Sequence, residues 1–153
     1  MPPSESAQAP AVEAGRRVLR LEAQALVDLA DSLGDTFSKA VDRIATLKGR
    51  LVLSGMGKSG HIARKIAATL ASTGQPALFV HPGEASHGDL GMIGNDDAVL
   101  ALSKTGETRE LADIIAHTRR FDIPLIAITA DAGSALGRAA DILLLLPLSL
   151  IHI

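Results

Sequence analysis

Short apolar runs alternate with helical patterns from residue 51 to residue 146, and no other feature of the sequence restricts the fold as strongly. The runs show no polar alternation, which is typical of strands buried on both faces of a sheet. Between them, apolar residues one helical turn apart predict helices over 58–73, 106–121 and 134–140. The predicted strands are LVLS (51–54), ALFV (77–80), DAVLAL (97–102), LIAIT (125–129) and ILLLL (142–146). This alternation predicts an α/β fold with a parallel sheet and right-handed crossovers.

The segment ahead of the first strand predicts two helices. Helical spacing of apolar residues covers 13–33, and a second helix follows Gly34 and ends at Gly49. We therefore predict four regions along the chain. They are a disordered tail over 1–12, a helical hairpin over 13–49, the α/β domain over 50–147 and an atypical tail over 148–153.

Composition excludes several classes of function. The chain has 153 residues, which suits one domain, and its formal net charge of −2 gives no overall positive field for nucleic acid. Cysteine is absent, which excludes disulfides, thiolate metal ligands and cysteine nucleophiles. The longest apolar run, 142–151, contains a proline and is shorter than the roughly 20 residues that a membrane helix needs. We predict a soluble, cytoplasmic protein that binds neither nucleic acid nor membrane.

Three glycines follow the first predicted strand, in the sequence GMGKSG (55–60). A P-loop needs a glycine where this chain has Val52, so a P-loop is excluded. The glycines match the G-x-G-x-x-G pattern of dinucleotide sites, but such a site needs an acid at the end of the next strand, and Glu84 lies beyond a proline–glycine turn. A flavin would lack aromatic partners, because tryptophan and tyrosine are absent. This loop predicts an anion site, with a dinucleotide as the weaker alternative.

A second loop, LSKTGETREL (102–111), favours a small phosphate. Ser103, Thr105 and Thr108 are grouped around Gly106 at a predicted helix start. Hydroxyl groups and free backbone N–H groups at a helix N-terminus suit a phosphate dianion. In the flavodoxin-like strand order 2-1-3-4-5, strands one and three are neighbours, and ligands of open α/β sheets bind where their carboxyl ends meet. The two loops are therefore expected to hold one ligand together.

These segments resemble the sugar isomerase (SIS) domain, and more narrowly the bacterial D-arabinose-5-phosphate isomerases. The resemblance covers residues 13–146 and is carried by SGMGKSGHIARKIAATLASTG (54–74), FVHPGEASHGDLGMI (79–93) and LSKTGETREL. It implies a three-layer αβα sandwich with a five-stranded parallel sheet. It also implies interconversion of D-ribulose 5-phosphate and D-arabinose 5-phosphate through an enediol, without a cofactor, in a homotetramer that serves the pathway to the lipopolysaccharide sugar Kdo.

The same motifs imply roles for individual residues. Lys58, His87 and Glu110 match positions that the family assigns to catalysis. Moving a proton between C1 and C2 needs a base, an acid for the oxygens and positive charge where the oxyanion develops, and these residue types suit that chemistry. The residues expected to bind the phosphate or the substrate are Gly57, Ser59, Ser103, Lys104, Thr105 and Thr108.

Other polar residues have simpler interpretations. Glu107 is predicted to be a helix-start acid, and His117 is predicted to lie on a solvated helix face. No metal site is predicted, because the histidines and acids of HPGEASHGD (81–89) lack the H-x-x-x-H spacing of a helical site.

The chain departs from the family at two places. Lys104 stands between two hydroxyl residues where family members carry an uncharged one, and LPLSLIHI (146–153) replaces a segment with a further glutamate and histidine. We therefore expect a truncated copy or one with a foreign tail. The alternative to an isomerase is a non-catalytic sugar-phosphate sensor or an inactive fragment. The helices before residue 50 lack a basic recognition helix, which argues against DNA binding by this chain alone.

Overall fold

The computed structural model describes residues 5–147, with side chains from residue 10 onward, and these form two compact units. One unit contains the helix α1 (Glu5–Ser32), and the other runs from Gly34 to Leu146. Helix α1 begins eight residues earlier than the predicted helix, so it includes residues 5–12. Alanine, glutamate and glutamine favour helix and make up most of this stretch, although Pro10 lies inside the helix and cannot donate a backbone hydrogen bond there.

The second unit contains the alternating elements that the sequence predicts. Its helices are α2 (Asp35–Ala45), α3 (Gly57–Ser72), α4 (Pro82–Ala85), α5 (Ala112–Phe121) and α6 (Ala135–Ala139). Its strands are β1 (Leu51–Gly55), β2 (Ala77–Phe79), β3 (Ala98–Leu102), β4 (Leu125–Thr129) and β5 (Ile142–Leu145). Two 3-10 turns cover Asp89–Met92 and Arg109–Leu111. The predicted tail over 148–153 lies outside the described residues.

All strands of the sheet are parallel, and their order is β2-β1-β3-β4-β5, which confirms the predicted topology. The register pairs Gly55, the last residue of β1, with Leu102, the last residue of β3. Neighbouring strands lie about 4.8 Å apart, so the loops that leave β1 and β3 begin side by side. The sheet thus brings together the glycine loop and the hydroxyl loop.

Helices cover both faces of the sheet, which makes the three-layer αβα sandwich. On one face Ala40 of α2 and Ala63 of α3 pack against Leu51 and Leu53 of β1. On the other face Val52 packs in a cluster to which α5 and α6 contribute. Helix α2 therefore packs on the sheet, and the predicted domain boundaries at residues 49 and 147 remain a prediction.

Two features of the secondary structure differ from expectation. The helix predicted over 106–121 begins later, because residues 103–108 form a loop and a 3-10 turn precedes α5. The hydroxyl side chains in this loop bind backbone and one another, which competes with helix formation. Strands β2 and β5 are only partly buried, because each lies at an edge of the sheet with a neighbour on one side.

Aspartate side chains connect neighbouring strands at the amino edge of the sheet, where β1, β3, β4 and β5 begin. Asp97 Oδ1 accepts a hydrogen bond from Arg50 N at 2.6 Å, and Oδ2 accepts one from Gly94 N at 2.9 Å and contacts the Arg50 guanidinium at 3.3 Å. Burial opposes ionisation of Asp97, but the hydrogen bonds from Gly94 and Arg50 and the Arg50 charge outweigh it, so the pKa lies below its usual value of 3.8.

Asp141 repeats this arrangement at the start of β5. Its Oδ2 accepts a hydrogen bond from Leu125 N at 2.8 Å, and its Oδ1 lies 3.5 Å from the Arg119 guanidinium. Unlike Asp97, this carboxylate is about half exposed. Asp97 thus binds the N–H of the residue just before β1, and Asp141 binds the first N–H of β4, so each aspartate helps to fix where a neighbouring strand begins.

Candidate functional site

The loop between β1 and α3 depends on its three glycines for two different reasons. Gly57 has φ +55°, which side chains other than glycine rarely adopt. Gly55 and Gly60 allow close packing instead. A Cβ on Gly60 would lie 2.5 Å from Gly55 O, and a Cβ on Gly55 would lie 3.0 Å from Leu102 O. Helix α3 therefore starts directly against the end of the sheet.

The start of α3 has no side chain that caps it. Met56 precedes the helix and makes no side-chain cap hydrogen bond. The first N–H groups of a helix lack intrahelical partners, so those of Gly57 and its neighbours are available to an anion. Lys58 is exposed in the first turn, and no described residue forms an ion pair with it, while Ser59 is half buried beside it. This arrangement provides N–H donors, a hydroxyl and one positive charge.

The loop after β3 is held by hydrogen bonds between its own hydroxyl groups and backbone. Ser103 is buried, and its Oγ accepts a hydrogen bond from Gly106 N at 3.0 Å and lies 2.7 Å from Thr108 Oγ1. Thr105 is exposed, and its Oγ1 accepts a weaker bond from Glu107 N at 3.3 Å. The structure brings Ser103 and Thr108 together as predicted from the sequence, whereas Thr105 lies on the outside of the turn.

Gly106 is the position on which this loop packs. Its φ is +68°, and a Cβ there would collide with the Ser134 side chain and lie 3.0 Å from Thr129 Oγ1. Thr129 Oγ1 donates to Lys104 O at 3.2 Å, and Ala130 N also donates to this carbonyl at 3.0 Å. The loop backbone is thus fixed to the end of β4, with the Lys104 side chain on the exposed side.

Glu107 supports a neighbouring element. Its Oε1 accepts a hydrogen bond from Ala135 N, the first residue of α6, at 2.7 Å. Ser134 caps the same helix by accepting from Gly137 N at 3.1 Å. Glu107 is therefore a helix-start acid, as predicted, but it serves α6 and not the helix that follows it in sequence.

A third segment follows β2, the other neighbour of β1. Val80 N donates to Leu53 O, and Ser54 Oγ donates to Val80 O at 2.8 Å, so this segment leaves the sheet beside the glycine loop. His81 precedes α4, and its Nδ1 accepts from Gly83 N at 3.2 Å, which makes it a helix cap. His87 follows α4 and is exposed, next to Gly88, whose φ of +131° turns the chain.

Glu110 lies in the 3-10 turn before α5 and is exposed. Helix α4 packs against this turn and against α5. The segments that carry His87 and Glu110 are therefore neighbours above the same edge of the sheet, the carboxyl edge, where β1, β2 and β3 end. Neither side chain is held by a hydrogen bond from another described residue.

The part of the chain that the structure describes contains no group of three histidine, cysteine, aspartate or glutamate side chains arranged to bind a metal. Within the same residues, no helix combines the length and the apolar character that crossing a membrane requires.

Sequence reasoning missed several supporting hydroxyl groups at this edge. Ser54 and Thr129 each lie at or next to the carboxyl end of an apolar strand, and both are buried. A hydroxyl residue at the end of an apolar run was the signal that could have found Ser54 and Thr129. The interpretation of His117 was wrong, because its ring is half buried, lies 3.2 Å from Ile93 O through Nε2 and packs against Phe121.

The geometry of these loops agrees with comparison to known proteins. A family model described as the SIS domain matches residues 44–152, which is more than half of the chain. The chain belongs to the SIS domain family. The resemblance inferred from the sequence motifs is therefore confirmed at the level of the family.

Individual relatives of this SIS domain carry related names. The chain is 48% identical over 130 residues to the arabinose 5-phosphate isomerase KdsD of Escherichia coli K12. It is 49% identical over 131 residues to the protein of the same name from Pseudomonas aeruginosa. These matches cover 85% and 86% of this chain and 40% of each relative. The chain thus spans about two fifths of the length of the curated relatives that it matches.

Solved structures give the same fold. A protein of E. coli CFT073 in complex with arabinose 5-phosphate superposes with a TM-score of 0.85 at 36% identity, over 91% of this chain and 74% of that one. A putative phosphosugar isomerase involved in capsule formation from Bacteroides fragilis superposes with a TM-score of 0.81 at 40% identity, over 88% and 72%.

Proposed function

We propose that this SIS domain is a sugar-phosphate aldose–ketose isomerase that interconverts D-ribulose 5-phosphate and D-arabinose 5-phosphate. The observation that carries the proposal is the pairing of Gly55 with Leu102, because it makes the glycine loop and the hydroxyl loop neighbours at the carboxyl edge of the sheet. The names of the KdsD relatives and the arabinose 5-phosphate complex of the E. coli CFT073 protein support this choice of substrate. The proposed location is the cytoplasm, and the proposed state is the oligomer that the family resemblance implies.

In this proposal the phosphate binds between the two loops. The uncapped start of α3 offers backbone N–H groups, and Ser59 lies in its first turn. Ser103 and Thr108 face each other across the second loop, where either hydroxyl can turn to donate to a phosphate oxygen. Each helix-terminus interaction with an anion is worth about 0.3–1 kcal/mol, so affinity requires several donors to act together. Gly57, Lys104 and Thr105 complete the proposed set.

The proposed chemistry uses the exposed groups above the phosphate. An enediol intermediate forms when a base removes the proton from the carbon next to the carbonyl and an acid protonates the carbonyl oxygen. Glu110 and His87 are the proposed proton carriers, because they lie on adjacent segments above the carboxyl edge. Lys58 is proposed to stabilise the enediolate or the phosphate through its charge.

A second candidate function is sugar-phosphate binding without turnover. It is favoured by a difference within the site itself. The loop after β3, which is proposed to bind the phosphate, is fixed by its own hydrogen bonds. His87 and Glu110, in contrast, are exposed, and no described side chain orients them. General acid–base catalysis needs a positioned proton carrier, so this site is better prepared to bind a phosphate than to move a proton.

Lys58→Ala tests the proposal, with Lys65→Ala as the matched control because Lys65 is an exposed lysine of the same helix. We expect wild type and the control to isomerise arabinose 5-phosphate and to be stabilised by it in a thermal-shift titration. Lys58→Ala should lower turnover about 100-fold, the loss that removing one oxyanion-stabilising group causes. Equal activity of the two variants, or wild type that millimolar ligand does not stabilise, would contradict a site at this loop.

Turnover separates the two candidate functions. If wild type is stabilised by arabinose 5-phosphate but forms no ribulose 5-phosphate, the chain is a binding module. If it turns over, Glu110→Gln should abolish the reaction while leaving the thermal shift in place. Asp113→Asn, at an exposed acid in the first turn of α5, should change neither.

A further inference from the structure

The ring of His81 is held in one orientation by the residues around it. Its Nδ1 accepts a hydrogen bond from Gly83 N at 3.2 Å, and the ring packs edge-to-face on Phe79, with 6.4 Å between the ring centres. Phe79 is in turn covered by the Arg64 guanidinium, whose carbon lies 3.9 Å from the ring centre. His81 is half buried, whereas His87 at the other end of α4 is exposed. The site therefore contains a histidine that the protein orients.

The hydrogen bond from Gly83 determines where His81 carries its proton. A ring nitrogen that accepts a hydrogen bond has no proton, so the neutral imidazole carries its proton on Nε2. A Cβ on Gly83 would lie 3.2 Å from Nδ1 and 3.3 Å from Cε1, so Gly83 covers that side of the ring. Among the residues that the structure describes, none forms a hydrogen bond with Nε2. A cap for α4 needs only Nδ1, which leaves the Nε2–H group able to donate to a ligand.

His81 lies beside the glycine loop. Ser54 Oγ donates to Val80 O at 2.8 Å, so the chain leaves β2 for His81 next to the residue that precedes this loop. The Phe79 ring, against which His81 packs, also reaches α3, because a Cβ on Gly60 would lie 3.6 Å from Phe79 Cζ. The oriented imidazole is thus close to the first turn of α3, where the phosphate of the substrate is proposed to bind.

We propose that His81 is a catalytic residue whose Nε2–H donates a hydrogen bond to the sugar oxygens O1 and O2, on which negative charge develops. This inference rests on the proposed isomerase function, and it adds an oriented hydrogen-bond donor to the proposed proton carriers. A neutral imidazole suits this role, because it stabilises an enediolate as an N–H donor and does not compete with the base for the proton on carbon.

The reaction balances with no net change at His81. The base removes the proton from C2 of the aldose, the C2–H electron pair forms the C1=C2 bond, and the C1=O1 pair moves to O1, where Nε2–H stabilises it. The hydroxyl proton of O2 then moves to O1, the C2=O2 bond forms, and C1 takes the proton back from the base. His81 is neutral, with its proton on Nε2, at the beginning and at the end.

Two substitutions separate this role from capping. Asparagine is a preferred helix cap and can accept from Gly83 N, but it has no group at the position of Nε2, whereas glutamine places its amide nitrogen near that position and caps poorly. We expect His81→Asn to keep the thermal stability of wild type and to lower kcat for arabinose 5-phosphate about 100-fold, the loss that removing one oxyanion donor causes. His81→Gln should unfold at a lower temperature and retain more turnover. A His81→Asn protein with wild-type kcat would show that His81 is only a cap and would overturn the proposal.

Binding of an enediolate mimic tests the same contact without turnover. In 4-phospho-D-erythronohydroxamate a nitrogen replaces C1 and the two oxygens of the enediolate are present, whereas arabinitol 5-phosphate has the phosphate and no carbonyl. His81→Asn should bind the hydroxamate about tenfold more weakly than wild type, the loss expected for one hydrogen bond to a charged group, and should bind arabinitol 5-phosphate equally well. His81→Ser, which also caps and lacks the donor, is used if circular dichroism shows that His81→Asn is unfolded.

His117→Asn is the matched control for both experiments. His117 is also half buried, packs against a phenylalanine and contacts one backbone group, but it lies in the second half of α5, towards the amino edge of the sheet. It should bind both compounds as wild type does. If wild type binds the hydroxamate and His81→Asn binds it equally well, the assignment of His81 is wrong and the proposed function stands. If wild type binds neither compound, the proposed function is wrong and this inference falls with it.

Discussion

The amino edge and the carboxyl edge of the sheet use polar side chains in opposite ways. At the amino edge the carboxylates of Asp97 and Asp141 are bound by backbone N–H groups and arginines. At the carboxyl edge Lys58, His87 and Glu110 are exposed, and no described side chain holds them. Groups whose hydrogen bonds are satisfied inside the protein stabilise it, whereas groups left open to solvent are available to a ligand.

Helix starts show the same difference. At the start of α6, Gly137 N donates to the cap residue Ser134 and Ala135 N donates to Glu107 Oε1, so these N–H groups are occupied. Helix α3 begins after Met56, which cannot cap it. The first N–H groups of both helices lack intrahelical acceptors. Side chains accept from those of α6, whereas those of α3 remain available to an anion. Side chains that accept hydrogen bonds from backbone N–H groups thus lie at the amino edge and at the start of α6. The helix N–H groups that lack an acceptor lie at the start of α3, where β1 ends beside β3.

The largest effect should come from Gly106→Ala, because Gly106 both packs against the neighbouring structure and shapes the loop that is proposed to bind the phosphate. The side chain would collide with Ser134 and require a left-handed backbone, at a combined cost of about 2–4 kcal/mol in the free energy of unfolding. The loop that carries Ser103 and Thr108 should also lose its shape, so stabilisation by arabinose 5-phosphate should disappear.

Urea denaturation and thermal shift measure both consequences of this change. Gly91→Ala is the control, because its Cβ would meet nothing within 4 Å and its φ is not positive. Unchanged ligand binding in a Gly106→Ala protein would show that the hydroxyl loop is not part of the phosphate site, and would remove the basis for assigning function to the carboxyl edge.

A smaller effect, on stability alone, is expected from Asp97→Ala. It leaves Arg50 N and Gly94 N without their acceptor and should cost about 2 kcal/mol in the free energy of unfolding. The adjacent Asp96 is exposed, so Asp96→Ala should change stability by less than about 0.5 kcal/mol. Arabinose 5-phosphate should stabilise both variants as much as wild type. A loss of ligand binding in Asp97→Ala at temperatures where it is folded would show that the two edges are coupled.

The strands and the two loops at the carboxyl edge could be predicted from the sequence. The apolar runs predicted every strand, the flavodoxin-like order assumed for such a fold was the observed one, and the motifs GMGKSG and LSKTGETREL identified the two loops. These features are local, because burial and periodicity can be recognised from short stretches of consecutive residues. The helix start after residue 106 was mispredicted, because hydrogen bonds of Ser103 with Gly106 and Thr108 compete with helix formation there.

The amino edge was not predicted. Asp97 and Arg50 are 47 positions apart, and Asp141 and Leu125 are 16 apart, so their hydrogen bonds depend on strand pairing that no local pattern shows. The half-buried position of His117 was missed for the same reason, since its neighbour Ile93 is 24 positions away. The loops of the candidate site can be recognised from consecutive residues, whereas the contacts at the amino edge join residues that are far apart in the sequence.

The smallest expected effect is the response of stability to acid, which isolates Asp97. Its pKa is below 3.8 in the folded protein, so the unfolded chain binds this proton more readily. The stability that the ionised carboxylate contributes is therefore fully present above the unfolded value and is lost as the pH falls from about 3.8 through the lower folded pKa. Asp97→Asn removes this titration, and Asp96→Asn leaves it in place.

Urea denaturation at a series of pH values from 6 to 2 measures this response. The difference in free energy of unfolding between wild type and Asp97→Asn should be constant at the upper pH values and shrink below about pH 4, because protonation makes the wild-type side chain resemble the amide. The difference between wild type and Asp96→Asn should stay near zero throughout. If wild type remained more stable than Asp97→Asn by the same free energy of unfolding down to pH 2, the negative charge of Asp97 and its ion pair with Arg50 would not be what stabilises the amino edge.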